Sequence, residues 1–158
     1  MSKSFHESDV LKKLQKYCSY QERCHSDVRK KLFSMKIYGD IQENIMSQLI
    51  QDGFLNEERY ARSYCRGKFN INRWGRIKIR QGLLAKDVSE FCVDRGMEEI
   101  DEKEYLQTLI VLVENYFSRL HGDSFSRRDK SYRFLYNKGF ESHLVSSVLG
   151  ELSQTTEE

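Results

Sequence analysis

Apolar residues recur along this chain at spacings of three and four and hardly ever alternate, which is the pattern of amphipathic helices. Val10, Leu11, Leu14, Tyr17 and Cys18 outline a first helix, and Cys24, Val28, Leu32 and Met35 a second. Between them, Ser19-Tyr-Gln-Glu22 has the form of a capping box, in which side chains at both ends satisfy free amides of the helix that follows. Gly39 is expected to end this region. Ile41, Ile45 and Leu49 predict a third helix. Asp52-Gly53-Phe54 supplies its stop, with glycine at the left-handed position and a hydrophobe folding back on the last turn.

The same order then recurs. Tyr60, Ala61, Tyr64, Cys65 and Phe69 predict a fourth helix opened by Asn56, a fifth runs from about Trp74 to Lys86, and a short sixth starts near Ser89, interrupted at Gly96. Asp101-Glu-Lys-Glu104 is a second capping box, and the helix it opens, from Tyr105 to Leu120, is apolar over much of its circumference. Arg127 to Lys138 and Ser142 to about Leu152 bring the expected total to about nine helices. The chain contains no proline, so the strongest helix breaker is missing and the fold class reads as all-α.

Aligning the middle helices exposes an internal repeat. Leu32-Phe33, Leu83-Leu84 and Leu135-Tyr136 lie 51 and then 52 residues apart. Ile37, Val88 and Phe140 keep that register. So do Ile41, Cys92 and Leu144, which are expected to be the first inward positions of each third helix. The simplest account is three tandem three-helix repeats, over residues 8–54, 55–100 and 101–152, followed by a disordered tail at 153–158. One such unit has little core, so neighbours are expected to stack into an elongated array.

Charge changes the picture in one place. Of 26 Lys and Arg residues, nine lie between Arg59 and Lys86, a run without a single Asp or Glu; the other 130 positions hold 17 basic against 24 acidic residues, a balance of −7. This local cationic patch suggests a docking surface. On a helix starting at Trp74, Arg73, Arg76 and Arg80 share a face, while Lys78 and Lys86 point elsewhere. Arg62, Arg66 and Lys68 lie on or just after the preceding helix, and Arg127 and Arg128 open the corresponding helix of the third repeat. Arg76 and Arg128 are expected to line one face. Arg80 and Arg29 both precede the repeated hydrophobic pair, which favours a structural role in which the aliphatic stem covers the core edge. Trp74, the sole tryptophan, reads either as a partner anchor or base platform, or as a core residue beneath the turn.

Enzymatic chemistry finds little support. His6, His25, His121 and His143 are scattered without a paired nucleophile, and no G-x-x-x-x-G-K-[ST] loop occurs, so ATP turnover is not expected. Cys18, Cys24, Cys65 and Cys92 lack metal-site spacing and read as reduced thiols, consistent with a cytoplasmic location; no metal or other cofactor is expected. The N-terminal residues offer no apolar signal core, and the longest aliphatic run, Leu109–Val113, is far shorter than the ~20 residues of a spanning helix, so no membrane association is expected.

Asp52-Gly-Phe-Leu-Asn-Glu-Glu-Arg-Tyr-Ala61, followed by Trp74-Gly-Arg-Ile-Lys-Ile-Arg-Gln-Gly-Leu-Leu-Ala-Lys86, resembles the core signature of the RecX family, bacterial regulators of the recombinase RecA. Lys138-Gly-Phe-Glu-Ser-His-Leu-Val145 is similar to the family's third-repeat motif. The resemblance covers roughly residues 10 to 150. It departs at Asn56, where the family usually has Asp. It implies a non-enzymatic protein of three tandem three-helix repeats that binds the RecA–DNA filament and inhibits its ATPase, strand-exchange and coprotease activities. Partners so implied are the RecA filament and DNA, reached directly or through the filament, with no small-molecule substrate and a monomeric chain. From the residues alone, an autonomous nucleic-acid-binding helical module presenting Arg73, Arg76 and Lys78 to phosphates is the alternative.

Overall fold

A computed structural model describes residues 6–155. Among the described residues there are nine α-helices and no strand: α1 (Glu7–Tyr20), α2 (His25–Ser34), α3 (Gly39–Gln51), α4 (Glu57–Asn70), α5 (Arg76–Ala85), α6 (Glu90–Met97), α7 (Glu102–Arg119), α8 (Ser124–Asn137) and α9 (Ser142–Thr155). The repeat is visible in their limits. α5 starts and stops 51 residues after α2, and α3, α6 and α9 start at 39, 90 and 142.

The second helix of every set ends the same way. Lys36, Asp87 and Gly139 all take left-handed backbone conformations, with φ of 61°, 59° and 95°. The next residue folds back in each case: Ile37 N–H donates to Leu32 O at 3.0 Å, Val88 to Leu83 O at 3.3 Å and Phe140 to Leu135 O at 3.2 Å. This is the Schellman stop, and its apolar pair is buried in all three copies, since Leu32, Leu83 and Leu135 are fully inaccessible and Ile37, Val88 and Phe140 nearly so. The spacing of hydrophobic pairs along the sequence is thus the spacing of one local motif. Gly39 does not end this region; it opens α3.

Among the described residues the chain divides into two compact units, residues 6–63 with 83–96 and residues 64–82 with 97–155. In the first, α3 packs on α1 and α2 around Leu14, Val28, Leu32, Ile45, Met46 and Leu49. Each leucine fully buried in this way contributes roughly 2 kcal/mol. The left-handed stop expected at Gly53 is present, with Phe54 N–H donating to Leu49 O at 2.9 Å. Asn56 caps α4 by accepting from Arg59 N–H at 2.9 Å. In the second unit, α7, α8 and α9 pack on one another, and the rings of Phe69, Tyr105 and Phe140 follow in a chain with centroids 5.8 and 5.2 Å apart. Asp101 caps α7, accepting from Glu104 N–H at 3.0 Å.

Several expectations are corrected. Ser19 lies inside α1 and donates to Gln15 O, so it opens nothing; α2 begins at His25 and is capped at Cys24, whose N–H donates to the Asp27 carboxylate at 3.3 Å. α5 begins at Arg76 rather than Trp74. Gly96 does not interrupt α6, which runs through it; a Cβ there would meet the Ala61 carbonyl at 2.8 Å, so glycine permits a close helix approach. Ile41 is 43% exposed, and Cys92 and Leu144 are only half-buried, because the inward residue is the next one, Val93 or Val145. In the first copy that place belongs to Gln42, whose side-chain amide donates to Ile37 O at 3.1 Å. α9 takes in the first residues of the expected tail, and 156–158 lie outside the described residues.

Candidate functional site

Between α4 and α5 the chain makes a tight reversal. Arg73 takes a left-handed conformation (φ 55°), and its N–H donates to Phe69 O at 3.1 Å, while Trp74 N–H donates to Lys68 O at 3.0 Å. α5 then starts against the Schellman turn of α8. Gly75 N–H donates to Lys138 O at 2.8 Å, Ile77 N–H to Gly139 O at 2.9 Å, and Arg76 N–H to the Tyr105 hydroxyl at 3.1 Å. Three amides that open a helix are therefore occupied by protein acceptors. The approach requires two glycines. A Cβ on Gly75 would sit 2.2 Å from Gly139 C, and one on Gly139 would sit 2.3 Å from Lys78 Cβ. Trp74-Gly-Arg76 and Lys138-Gly-Phe140, over sixty residues apart in sequence, form one joint.

Arg76 locks that joint. Its guanidinium binds Glu141 at 2.6 Å and Glu102 at 2.7 Å and lies over the Tyr105 ring. Tyr105 in turn donates a short hydrogen bond from its hydroxyl to Glu141. Burial alone would lower the pKa of Arg76, but the hydrogen bonds with Glu141 and Glu102 outweigh it and raise it. Burial, then the hydrogen bond with Glu141, pushes the Tyr105 hydroxyl up as well. The network stays charged on Arg76 and protonated on Tyr105 over the physiological range, so this arginine is committed to the fold.

Around the joint stand four cations that have no carboxylate partner among the described residues: Lys68, Arg73, Lys78 and Lys138. The Lys68 and Lys78 ammonium groups lie 4.6 and 4.4 Å from the centroid of the Trp74 ring. Trp74 is half-buried and holds these lysines through its π-face, so it organises the cations and does not present a bare ring for stacking. Lys138 Nζ donates to Asn72 O at 3.3 Å, and its pKa is lowered by burial and by the neighbouring charges of Lys78 and Arg73. Three like charges therefore act on one another at the joint.

The structure sorts the other candidates away from this cluster. Arg62 pairs with Glu58 at 3.4 Å, one turn back on α4. Arg66 pairs with Glu99 at 3.1 Å. Lys86 pairs with Asp27 at 3.2 Å. Arg80 is half-buried and has an interaction partner. Arg127 donates to Phe117 O at 3.1 Å and lies over the Phe117 ring, whereas Arg128 is exposed beside Phe125 and Tyr132. Since Arg76 is bound by Glu141 and Glu102, it does not form with Arg128 the cationic face expected from the 52-residue spacing. Arg73, Arg76 and Arg80 form no helical stripe either, because α5 starts only at Arg76. Arg29 pairs with Glu43 at 3.2 Å on the surface. Lys138 was not legible as a site residue, because it lies outside the basic run; its one sequence signal was its place in the repeat, 52 residues after Lys86. Cys18, Cys24 and Cys65 are buried, and no group of His, Cys, Asp and Glu able to hold a metal occurs among the described residues.

The fold and the joint define a class: tandem three-helix units whose joined helix ends carry surface charge. Comparison with known proteins sharpens it. The family model described as RecX, second three-helix domain, matches residues 56–97, and that described as RecX, third three-helix domain, matches residues 102–149. The chain belongs to the RecX family. It is 28% identical over 137 residues to the regulatory protein RecX of Bacillus mycoides, covering 86% of this chain and 51% of the relative, and 28% identical over 139 residues to that of Bacillus cytotoxicus, covering 87% and 52%. The chain spans about half the length of the curated relatives it matches. Among solved structures it is similar to RecX from Lactobacillus salivarius, with a TM-score of 0.85, 26% identity and coverage of 94% of this chain and 97% of that one. A second crystal structure, of regulatory protein RecX, gives a TM-score of 0.81 at 26% identity, covering 90% and 72%. No described helix is long and apolar enough to cross a membrane.

Proposed function

We propose that this chain is a non-enzymatic, cytoplasmic regulator that binds the RecA–DNA filament and inhibits its ATP hydrolysis, strand exchange and coprotease activities. The observation that carries this reading is membership of a family of regulatory proteins across both the second and third three-helix domains. The cluster of Lys68, Arg73, Lys78 and Lys138 supports it, since a concentrated positive patch suits a polyanionic or acidic polymer. Repeated units contacting successive protomers multiply modest affinities through effective concentration, and a ligand that prefers one filament state opposes the rearrangements of turnover.

The same cluster favours one second reading, an autonomous nucleic-acid-binding module. The two are separated by titrating the chain with naked single-stranded DNA, with RecA alone and with assembled filament, each at two salt concentrations. The regulator reading expects filament to be bound most tightly. If four cations met single-stranded phosphates without protein help, log affinity would fall against log salt with a slope of about −2.8. Equal affinity for naked DNA and filament would favour the module and reject the regulator.

A further inference from the structure

The joint between α5 and α8 has a counterpart in the first unit, and their charges differ in one respect. There the start of α2 meets the Schellman turn that ends α5: Ser26 Oγ donates to Lys86 O at 2.8 Å, and Lys86 Nζ binds Asp27 at 3.2 Å. Moving 51 residues from α2 and 52 from the α5 turn maps Cys24 onto Gly75, Ser26 onto Ile77, Asp27 onto Lys78 and Lys86 onto Lys138. The carbonyl of Lys138 accepts from the incoming helix at 2.8 Å, as that of Lys86 does. At the first joint the facing side chains are an acid and a base. At the second they are two bases, and Arg73 adds a third positive charge.

Like charges held together lower stability unless something neutralises them, and the first joint shows that the fold itself builds perfectly well with an ion pair at this place. We infer that the second joint, through Lys78, Lys138 and Arg73 with Lys68 at its edge, is a binding site for backbone phosphate of nucleic acid. Two features favour phosphodiester over a carboxylate-bearing protein surface. The convergent groups are mostly lysines, point charges that suit phosphate oxygens, whereas bidentate carboxylate recognition is the strength of arginine. Of the two arginines at the joint, Arg76 already has its carboxylates in Glu141 and Glu102. The contact is to backbone, so binding is indifferent to base sequence. This deepens the reading of the chain as a filament regulator by naming what the joint would hold there.

The test converts the second joint into the first. Lys78→Asp places an acid opposite Lys138, as Asp27 stands opposite Lys86, so the variant folds and melts no lower than the parent. Binding of a fluorescein-labelled single-stranded oligonucleotide by the full chain is followed by anisotropy at several salt concentrations. Trp74, the sole tryptophan, gives a second readout through its own emission. The expected result is a marked loss of affinity, with a slope of log affinity against log salt reduced by about 1.4, equivalent to two phosphate contacts; Lys138→Gln should reduce it by about 0.7. In the parent, Trp74 emission changes on adding oligonucleotide. Parent-like affinity and slope in both variants, with no Trp74 response, would overturn the inference, and preferential binding to an acidic polypeptide such as polyglutamate would do the same. A parent chain that binds oligonucleotide through this joint yet leaves RecA activity unaltered would uphold the inference and reject the proposed function.

Discussion

Arg76 Nη2 lies 2.6 Å from Glu141 Oε2, so an arginine from the most basic stretch of the chain spends its charge on a carboxylate 65 residues away. The pair is three-quarters buried, and the Tyr105 hydroxyl donates to the same carboxylate. Arg76→Gln leaves Glu141 without its cation and is expected to cost roughly 1–3 kcal/mol, after allowing for partial exposure to water. Tyr105→Phe should cost about 1–2 kcal/mol. Because they share one acceptor, the double variant should lose less than the sum. Urea unfolding of the three variants checks this; strict additivity, or a change below about 0.5 kcal/mol for Arg76→Gln, would show that the network carries no weight.

Gly75 and Gly139 are expected to tolerate nothing larger. Alanine at Gly75 puts a methyl group 2.2 Å from the Gly139 backbone, far inside van der Waals contact, and the obstacle is main chain that cannot rotate aside. A loss of about 3 kcal/mol or more, or separation of the joint, is expected, at the severe end of single substitutions. Gly67, inside α4 with open space around its Cβ position, provides the control: Gly67→Ala should stabilise by roughly 0.5–1 kcal/mol. Thermal melts of the two variants should move in opposite directions.

The two joints should respond differently to pH. Burial would raise the pKa of Asp27, but its hydrogen bonds with Cys24 and Lys86 prevail and hold it below the usual carboxylate value. Its stabilising contribution is therefore complete above the ordinary aspartate range and is lost as pH falls through the depressed folded value. Lys138 has the opposite sign. Its pKa is lowered, so the charged form costs stability at neutral pH, and that cost disappears as pH rises toward the ordinary lysine range. Asp27→Asn should thus destabilise by about 0.5–1 kcal/mol at pH 7, while Lys138→Gln should be neutral or stabilising by a few tenths. Chemical denaturation of both variants at pH 4, 7 and 9 measures these shifts.

Thiol reactivity should follow burial. Cys18, Cys24 and Cys65 are buried, with burial pushing the Cys18 thiol pKa up, and Cys92 is half-exposed. One fast-reacting thiol per native chain is expected with Ellman's reagent, removed by Cys92→Ser, with the others reacting only on unfolding. More than one fast thiol would contradict the burial.

Local signals explain what could be read from the residues. The caps at Asn56 and Asp101, the stop at Gly53 and the thrice-repeated apolar pair all act within six residues, so their chemistry is written contiguously. Ser19 failed as a cap because a serine inside a helix can bond the carbonyl four residues back, which a motif match does not reveal. Ile41, Cys92 and Leu144 missed the core by one residue, an error of about 100° on a helix that the 51- and 52-residue register cannot detect. The site failed in a different way. A run of cations shows where positive charge is dense, but whether each one is spent depends on acids brought from elsewhere, such as Glu102 and Glu141 on Arg76 or Asp27 on Lys86. Lys138 joins Lys78 only through the fold.

Regulation of RecA is read out by steady-state ATP hydrolysis by RecA assembled on single-stranded DNA, with this chain added up to equimolar amounts. A progressive fall in the rate is expected, with Lys78→Asp requiring higher concentrations for the same effect. A rate that stays constant up to equimolar chain would contradict it.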